Sequence, residues 1–437
     1  MVHRKQILWF RNSAPYINAH RGRTFVLVLG GEAVQQPNFA NIIHDIALLH
    51  SLGVRLILVH GSRPQIEERQ HLAGLHSKFH NGVRITDGAA MEHVIDAAGS
   101  LRARFEALLS MGLPNSPMQG AGIQVCSGNF VSAKPLGVVE GVDYEHTGKV
   151  RNIAASDLHQ HLAAGSIVLL SPLGYSRSGK IFNLSLHDIA VRTAAETGAD
   201  KLILFGSQPG ISSSSGELVR QCGMREALQL TQDVADPEQR MLLQAARQAC
   251  TAGVKRCHIV SHLEDGALLE ELFSHDGSGT LVANDDYERA RAATIEDIGG
   301  ILELIEPLER EGVLVKRSRE LLEAELGYFR VLERDGRVIS VAALYPFPEH
   351  STGEIACIVT HPDYQGNQRG QRLLSELEAE ASRQGLTSVF VLTTQTDHWF
   401  MEQGFVESGR DSLPQSKQSL YNLQRNSKVF CKSLLRG

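Results

Sequence analysis

The feature that most constrains this chain is a pair of apolar strand signals flanking a helical stretch near its start. Residues 24–29 form a β-branched and aliphatic run ending at Gly30-Gly31, and residues 54–59 form another ending at His60-Gly61. Between them, residues 39–52 carry apolar side chains at helical spacing. Strands with no polar face must be covered on both sides, and a helix between two of them makes a βαβ unit. The pattern returns at residues 166–170 (strand), 185–197 (helix) and 201–205 (strand), which predicts an α/β domain with a mostly parallel sheet between helices.

The chain has 437 residues, room for two or three domains at roughly 100–200 residues each. The grammar changes after Gly277-Ser278-Gly279-Thr280. Thr294 and Asp297 have capping-box spacing, and Ile298, Ile301, Leu302 and Ile305 form the apolar stripe of a following helix. Strands then dominate: residues 329–332, a turn at Asp335-Gly336 and residues 338–344 read as a hairpin, with 354–360 as the next strand. The expected division is an arm over 1–23, an α/β domain over 24–283 and a smaller α+β domain over 284–437. In the arm, Ile7, Phe10, Ala14 and Ile17 make an amphipathic helix. On these residues alone it packs either on its own domain or on a partner subunit.

Charge excludes some classes. Lys+Arg 43 against Asp+Glu 49 leaves a net charge of −6, and no block of like charges marks a nucleic-acid binder. No apolar run approaches the length of about 20 residues that spans a bilayer, and the first residues lack a signal peptide's apolar stretch, so the cytoplasm is expected. The six cysteines form no CxxC pair and read as reduced core residues. His71, His76 and His80 lie in a polar stretch that reads as a solvated loop, and no metal site is expected.

The stretch from Ile355 to Leu374 carries the chemistry. A strand runs into a polar, Gly-containing loop that opens directly into a helix, leaving free N–H groups at the positive end of the helix dipole. Such a loop cradles an anion, and phosphate is the common one. Around it, "THPDYQG", "VFVLTT" and "HWFMEQGF" resemble the acetyl-coenzyme A site of GCN5-related N-acetyltransferases. The resemblance implies that Cys357, Ile358 and Val359 offer main-chain groups to the thioester and pantetheine. It places the pyrophosphate on Gln365, Gly366, Asn367, Gln368, Arg369 and Gly370. Two departures stand out. Gln368 occupies a position where that fold has Gly, so Arg369 is expected to supply charge that closer amides would have given. Phe400 stands where many members place a proton-donating Tyr, so the departing thiolate must leave with solvent help.

Acetylating an amine requires a neutral amine, and Glu354, just before the cofactor residues, is the expected base, directly or through one water. Cys357 lies where that fold uses backbone, so direct transfer in a ternary complex is favoured over an acetyl-cysteine. The basic clusters Lys316-Arg317-Ser318-Arg319 and Arg425-Asn426-Ser427-Lys428 read as solvated turns on charge alone.

The longer phrases "LTTQTDHWFMEQGF", "LPQSKQSLYNLQRNSKV" and "ALYPFPE", following "VLVLGGEAV" and "LHSLGVRLILVHGSRPQI", extend the resemblance over nearly every residue to the bacterial N-acetylglutamate synthases. Those amino-acid acetyltransferases acetylate L-glutamate in arginine biosynthesis. The resemblance implies that Arg317 faces the side-chain carboxylate of glutamate, Arg425 and Ser427 its α-carboxylate, and Leu392 and Thr393 the acetyl and amine groups.

The first domain is similar to an amino acid kinase, close to acetylglutamate kinase, stripped of its phosphate-handling residues. Val28 replaces a lysine, His60-Gly61-Ser62-Arg63-Pro64 replaces a glycine triplet, and the strand ending at Gly206 lacks the usual Thr-Asp pair. Without that lysine and aspartate no phosphoryl transfer is expected. By resemblance to arginine-inhibited kinases, Tyr16 in the arm, Glu271, Gly277 and Gly279 would hold L-arginine as a feedback inhibitor, and the arm would link subunits into a ring, a hexamer. Two other readings are an arginine-sensing module with a vestigial acetyltransferase, which the intact Glu354, Arg317 and Arg425 set opposes, and an active amino acid kinase, which Val28 opposes.

Overall fold

The computed structural model describes residues 2–274, 277–283, 288–334, 337–365, 368–419 and 427–434, with the side chains of residues 2–6, 8, 9, 12 and 419 outside the description. The chain forms two compact units, Met1–Asp285 and Asp286–Gly437.

The first unit is built on an eight-stranded sheet. Its order is Gln221–Gly223, Thr280–Ala283, Arg256–Ser261, Lys201–Gly206, Thr24–Leu29, Arg55–His60, Ile167–Leu170 and Val125–Cys126. Every neighbouring pair is parallel except Arg256–Ser261 with Thr280–Ala283. The strand Thr24–Leu29 is buried along its whole length, as expected for a run with no polar alternation. Val26 and Val28 enter one core with the helices Leu186–Glu196 and Pro237–Thr251. Phe25, Leu27 and Leu29 enter the opposite core with Phe39–Ser51, Gly88–Leu109 and Ala267–Phe273. Alternate side chains point to opposite faces of a strand, so two apolar cores require an unbroken apolar run. Ser185 caps the helix Leu186–Glu196 by accepting from the Asp188 N–H.

The arm is the helix Val2–His20. Tyr16 and Ile17 pack against the core, whereas Ile7 and Phe10 are 52% and 65% exposed, so the amphipathic stripe is covered by its own chain only near its end. The histidine run does not form a single loop. His71 lies in the helix Arg63–Leu72 and His80 in the ribbon strand Lys78–His80, where it faces Glu140 at 3.6 Å. Local helical spacing and ribbon pairing carried more weight there than the polar composition that suggested a loop. Among the described residues no group of His, Cys, Asp and Glu is arranged to hold a metal, and no helix is long and apolar enough to cross a membrane. All six cysteines are free, and Cys250 and Cys257, seven apart in sequence, bring their thiols to 3.5 Å in the core.

The second unit is a seven-stranded sheet in the order Arg289–Ala292, Phe329–Arg334, Arg337–Phe347, Thr352–Thr360, Ser388–Thr393, Lys428–Ser433 and Val406–Ser408. The helix Arg369–Arg383 covers one face through Leu373, Leu374, Leu377 and Ala381, and Ile298–Arg310 covers the other through Ile301, Leu304 and Ile305. Thr294 and Asp297 close the expected capping box. The hairpin pairs as read, with Phe329 opposite Ala343, while its turn residues Asp335 and Gly336 lie outside the described residues.

Candidate active site

The second unit's sheet is opened at one place. Strands Thr352–Thr360 and Ser388–Thr393 are parallel neighbours, but they pair only at Thr352, Gly353 and Glu354, opposite Ser388, Val389 and Phe390. Beyond Glu354 the first strand keeps its antiparallel partner Arg337–Phe347, and the second keeps Lys428–Ser433 through Thr393 opposite Lys428. The facing edges of residues 355–359 and 391–393 therefore have no ladder with each other. Unpaired strand edges present N–H and C=O groups that an extended, amide-bearing ligand can join.

A bulge accompanies the opening. Val341 faces Val359 and Ala343 faces Ala356, so Cys357 and Ile358 together oppose Ala342. Cys357 takes φ 52° there, a left-handed conformation that an L-residue adopts at a cost of roughly 1–2 kcal/mol, and a bulge re-aims the main chain where it occurs. Its side chain is buried, and burial pushes the thiol up to about 11. Such a thiol is protonated at neutral pH and is a poor nucleophile.

The strand continues to the loop and the helix Arg369–Arg383. Gln365 is extended, Gly366 and Asn367 lie outside the described residues, and Gln368 is the helix N-cap at φ 56° and ψ 22°. The backbone thus has the conformation that suits Gly, and Gln adopts it. Gly370 follows in the first turn, beside the Trp399 ring. Arg369 behaves otherwise than expected. The residue is 5% exposed, and its guanidinium hydrogen-bonds Glu288 at 2.6 to 3.0 Å and the Tyr364 carbonyl at 2.9 Å. A buried cation is held by the nearest carboxylate rather than left for a ligand. Arg369 therefore offers the loop its main-chain N–H and not its charge.

Glu354 stands where the strands part. Its side chain is 8% exposed, and Oε2 lies 2.6 Å from Lys417 Nζ, on the short helix Gln415–Ser419. Tyr345 is directly across the sheet from Glu354 and donates to Glu325 Oε2 at 2.7 Å. The Arg317 guanidinium lies beside Tyr345 and Cys357, so the structure brings Arg317 to the same end of the sheet as Glu354. Thr393 is buried and accepts from the Gln395 and Thr396 N–H groups, which fixes the end of the strand. Leu392 packs partly buried beside it, and Ser427 is buried just before the last strand. Arg425 lies outside the described residues. Phe400 is a core residue, stacked edge-on against Trp399 and Phe405.

In the first unit, Glu271 Oε2 accepts from the Ser278 and Gly279 N–H groups at 2.9 and 2.8 Å, and Oε1 lies 2.6 Å from His258 Nδ1. His258 Nε2 is 3.2 Å from Lys201 Nζ. Burial lowers His258 to about 4, with Lys201 adding to the shift, so the imidazole is neutral. It donates from Nδ1 to Glu271 and accepts at Nε2 from the Lys201 ammonium. Burial alone would push Glu271 up, but the hydrogen bonds from His258, Gly279 and Ser278 hold it below the usual carboxylate range. Gly277 has φ 64°, and a Cβ there would meet Glu271 Oε2 at 2.5 Å; one on Gly279 would meet the Ile259 carbonyl at 2.1 Å. His20 of the arm joins the cluster, with Nε2 2.8 Å from the Leu272 carbonyl. Tyr16 packs one turn earlier. Lys201 and His258 were legible only as polar residues inside apolar strands, a pattern that implies a buried partner without naming it.

The residues standing where a kinase of the resembled family handles phosphate are packed into the fold. Val28 is core, and His60 is fully buried, stacked on Phe105 at 5.5 Å and 2.9 Å from the Ser171 hydroxyl. A recess of about 420 Å³ lined by Arg151, Arg177 and Tyr175 lies on the small sheet of this unit and touches none of the residues singled out above.

Residues 23–261 match the amino acid kinase family and residues 298–405 the acetyltransferase (GNAT) family. An amino-acid acetyltransferase of Pseudomonas fluorescens is 54% identical over 98% of this chain and 99% of its own, and one of Azotobacter vinelandii is 54% identical over 99% and 100%. The chain belongs to the amino-acid acetyltransferase family. Two solved structures of N-acetylglutamate synthase from Neisseria gonorrhoeae are 36% identical to it, each covering 98% of this chain and 99% of its own. One, complexed with coenzyme A and L-arginine, superposes with a TM-score of 0.89, and the other, complexed with coenzyme A and N-acetyl-glutamate, with 0.64. As an amino-acid acetyltransferase, the chain joins a kinase-fold unit to a GNAT unit whose sheet is open beside a buried carboxylate.

Proposed function

We propose that this amino-acid acetyltransferase is an N-acetylglutamate synthase that transfers acetyl from acetyl-coenzyme A to the α-amine of L-glutamate and is inhibited by L-arginine. The single observation that carries the reading is the parting of the two parallel strands directly after the buried Glu354. The edges of Cys357, Ile358 and Val359 take the pantetheine, and the N–H groups of the loop 365–370 take the pyrophosphate. Glu354 removes a proton from the substrate ammonium, directly or through one water, and the free amine attacks the thioester carbonyl in a ternary complex. The tetrahedral intermediate collapses with coenzyme A leaving as thiolate. No side chain at position 400 can protonate it, so solvent does. Arg317 and the segment bearing Arg425 and Ser427 clamp the two carboxylates of glutamate, and Leu392 with Thr393 borders the acetyl and amine groups.

Arginine is assigned to the cluster around Glu271, with Gly277 and Gly279 admitting the ligand and Tyr16 bordering it. A carboxylate backed by His258 and Lys201 suits a guanidinium by charge and hydrogen bonding. The exposed Ile7 and Phe10 support a subunit contact through the arm and a hexameric ring, and the protein is placed in the cytoplasm. Release of free coenzyme A from acetyl-coenzyme A and glutamate, with and without arginine and beside an ATP-turnover assay, tests the set. Expected are N-acetylglutamate in step with coenzyme A, suppression by arginine and no ATP turnover. Coenzyme A release that does not depend on glutamate overturns the synthase reading. Removal of residues 1–20 is expected to lower the mass in solution and relieve inhibition; an unchanged mass and unchanged inhibition overturn the role of the arm.

A further inference from the structure

We propose that Lys417 is a positioning residue for acetyl transfer: its ammonium holds the Glu354 carboxylate turned so that one oxygen remains available to the substrate amine. The proposal rests on the reading of Glu354 as the base. Glu354 is 6% exposed, and a carboxylate that far from water needs a polar partner to replace its hydration. Lys417 Nζ, at 2.6 Å, engages Oε2, while Oε1 takes no hydrogen bond from a described residue. Occupying one oxygen and leaving its twin free is the arrangement a carboxylate needs in order to accept a proton in a defined direction.

The placement of Lys417 is built rather than incidental. Its helix, Gln415–Ser419, follows Leu413, which is buried against Phe390 and Val429. Phe390 is the residue paired with Glu354 across the strand opening. The Lys417 N–H donates to the Pro414 carbonyl, and the Gln418 side-chain amide donates to the Leu413 carbonyl, which close the turn that carries the lysine. Leu413 thus anchors the short helix to the residue beside the base, and Lys417 spans from that anchor back to the carboxylate. The same stretch of chain leads into the segment bearing Arg425 and Ser427, so one connection carries both the base's partner and the residues assigned to the substrate carboxylate. Lys417 contributes through Glu354 and not by contact with the reacting atoms.

Steady-state kinetics of Lys417→Met, Lys417→Arg, Glu354→Gln and the double variant Glu354→Gln with Lys417→Met test this in the full chain, with circular dichroism to establish folding. Lys417→Met is expected to lower kcat about 10- to 100-fold with KM for acetyl-coenzyme A within about twofold, as the loss of an aligned base requires. Lys417→Arg, which restores a cation, is expected to recover most of that loss. The double variant is expected to be no slower than Glu354→Gln alone, since two residues acting as one unit are not additive. If Glu354→Gln is slow but Lys417→Met keeps its kcat, the lysine proposal fails and the base reading stands. If Glu354→Gln is itself unimpaired, the base reading fails first. A rise in KM for glutamate with kcat unchanged in Lys417→Met makes the lysine a substrate ligand and overturns the proposal. Should Lys417→Met not fold, Lys417→Gln and Lys417→Arg carry the same comparison, and equal kcat in these two overturns it.

Discussion

Arg369 Nη2 lies 2.6 Å from Glu288 Oε1, and both side chains are nearly closed to solvent, at 6% and 11%. The pair ties the first turn of the helix after the cofactor loop to the residue just before the edge strand Arg289–Ala292. Removing the carboxylate strands a buried guanidinium, which costs on the order of 3–5 kcal/mol. Glu288→Ala is therefore expected to lower the urea midpoint of the acetyltransferase unit sharply and, because the loop hangs from that turn, to raise KM for acetyl-coenzyme A. A midpoint equal to that of the parent chain would contradict the pairing.

Gln368 presents the opposite case, a residue whose conformation is dearer than its contacts. At φ 56°, relieving the left-handed strain of a side chain contributes about 1 kcal/mol. Gln368→Gly should raise the melting temperature, and should lower KM for acetyl-coenzyme A by letting the backbone approach the phosphates. A fall in melting temperature, or a higher KM, would show that the side chain does more than tolerate its position.

Cys357 is the cysteine at the strand opening, and burial holds its thiol up at about 11. Cys357→Ala should keep kcat within about fivefold, a loss far short of that caused by removing a nucleophile. Rapid-quench experiments should find no acetyl-enzyme in the absence of glutamate. A burst of coenzyme A without acceptor would establish the covalent route instead.

The Glu271 cluster, to which arginine is assigned by proposal, is sensitive to single atoms. With the Ile259 carbonyl 2.1 Å from where a Cβ would stand, Gly279→Ala must displace the turn that donates to Glu271. Glu271→Gln removes the charge that faces a guanidinium, a change worth about 1.5–3 kcal/mol for a hydrogen bond to a charged group. Both variants are expected to raise the arginine concentration for half inhibition at least about tenfold. Unchanged inhibition in both would place the effector elsewhere.

Four histidines set an acid limit on the kinase-fold unit. Burial lowers His20 to about 3 and His60, His187 and His258 to about 4, from 6.5 in an unfolded chain. Between these values the unfolded chain binds more protons, so stability is full above pH 6.5 and declines as pH falls towards 4, at about 1.4 kcal/mol per pKa unit for each group. Asp45, raised to about 7 by burial, works in the opposite direction and offsets part of the loss. Urea titrations from pH 7.5 to 4.5 should show the midpoint of this unit falling with pH, and a flat profile would refute the neutral assignment of His258.

Much of the architecture follows from local pattern. Residues 24–29 are a strand at the expected bounds because an apolar, β-branched run has no other low-energy solution once both faces are covered. The Thr294 and Asp297 cap needs only residues three apart, and the strand, loop and helix around Gln368 are likewise short-range. The candidate site residues came from resemblance rather than spacing, since Arg317 and Glu354 are far apart along the chain.

Tertiary structure alone decided which charges are available. Arg369 reads in sequence as a loop cation, yet Glu288, 81 positions away, takes its guanidinium into the core. Lys417 carries no assignment in the sequence, and the fold brings its ammonium to 2.6 Å from Glu354. Lys201, His258 and Glu271 acquire their order only when two neighbouring strands and one helix meet. The sequence by itself determined the strands, the caps and the departures at Val28, Gln368 and Phe400, because these depend on neighbours along the chain. Pairing of buried charges depends on distance in space and on the cost of leaving either partner without water, and the fold determines both.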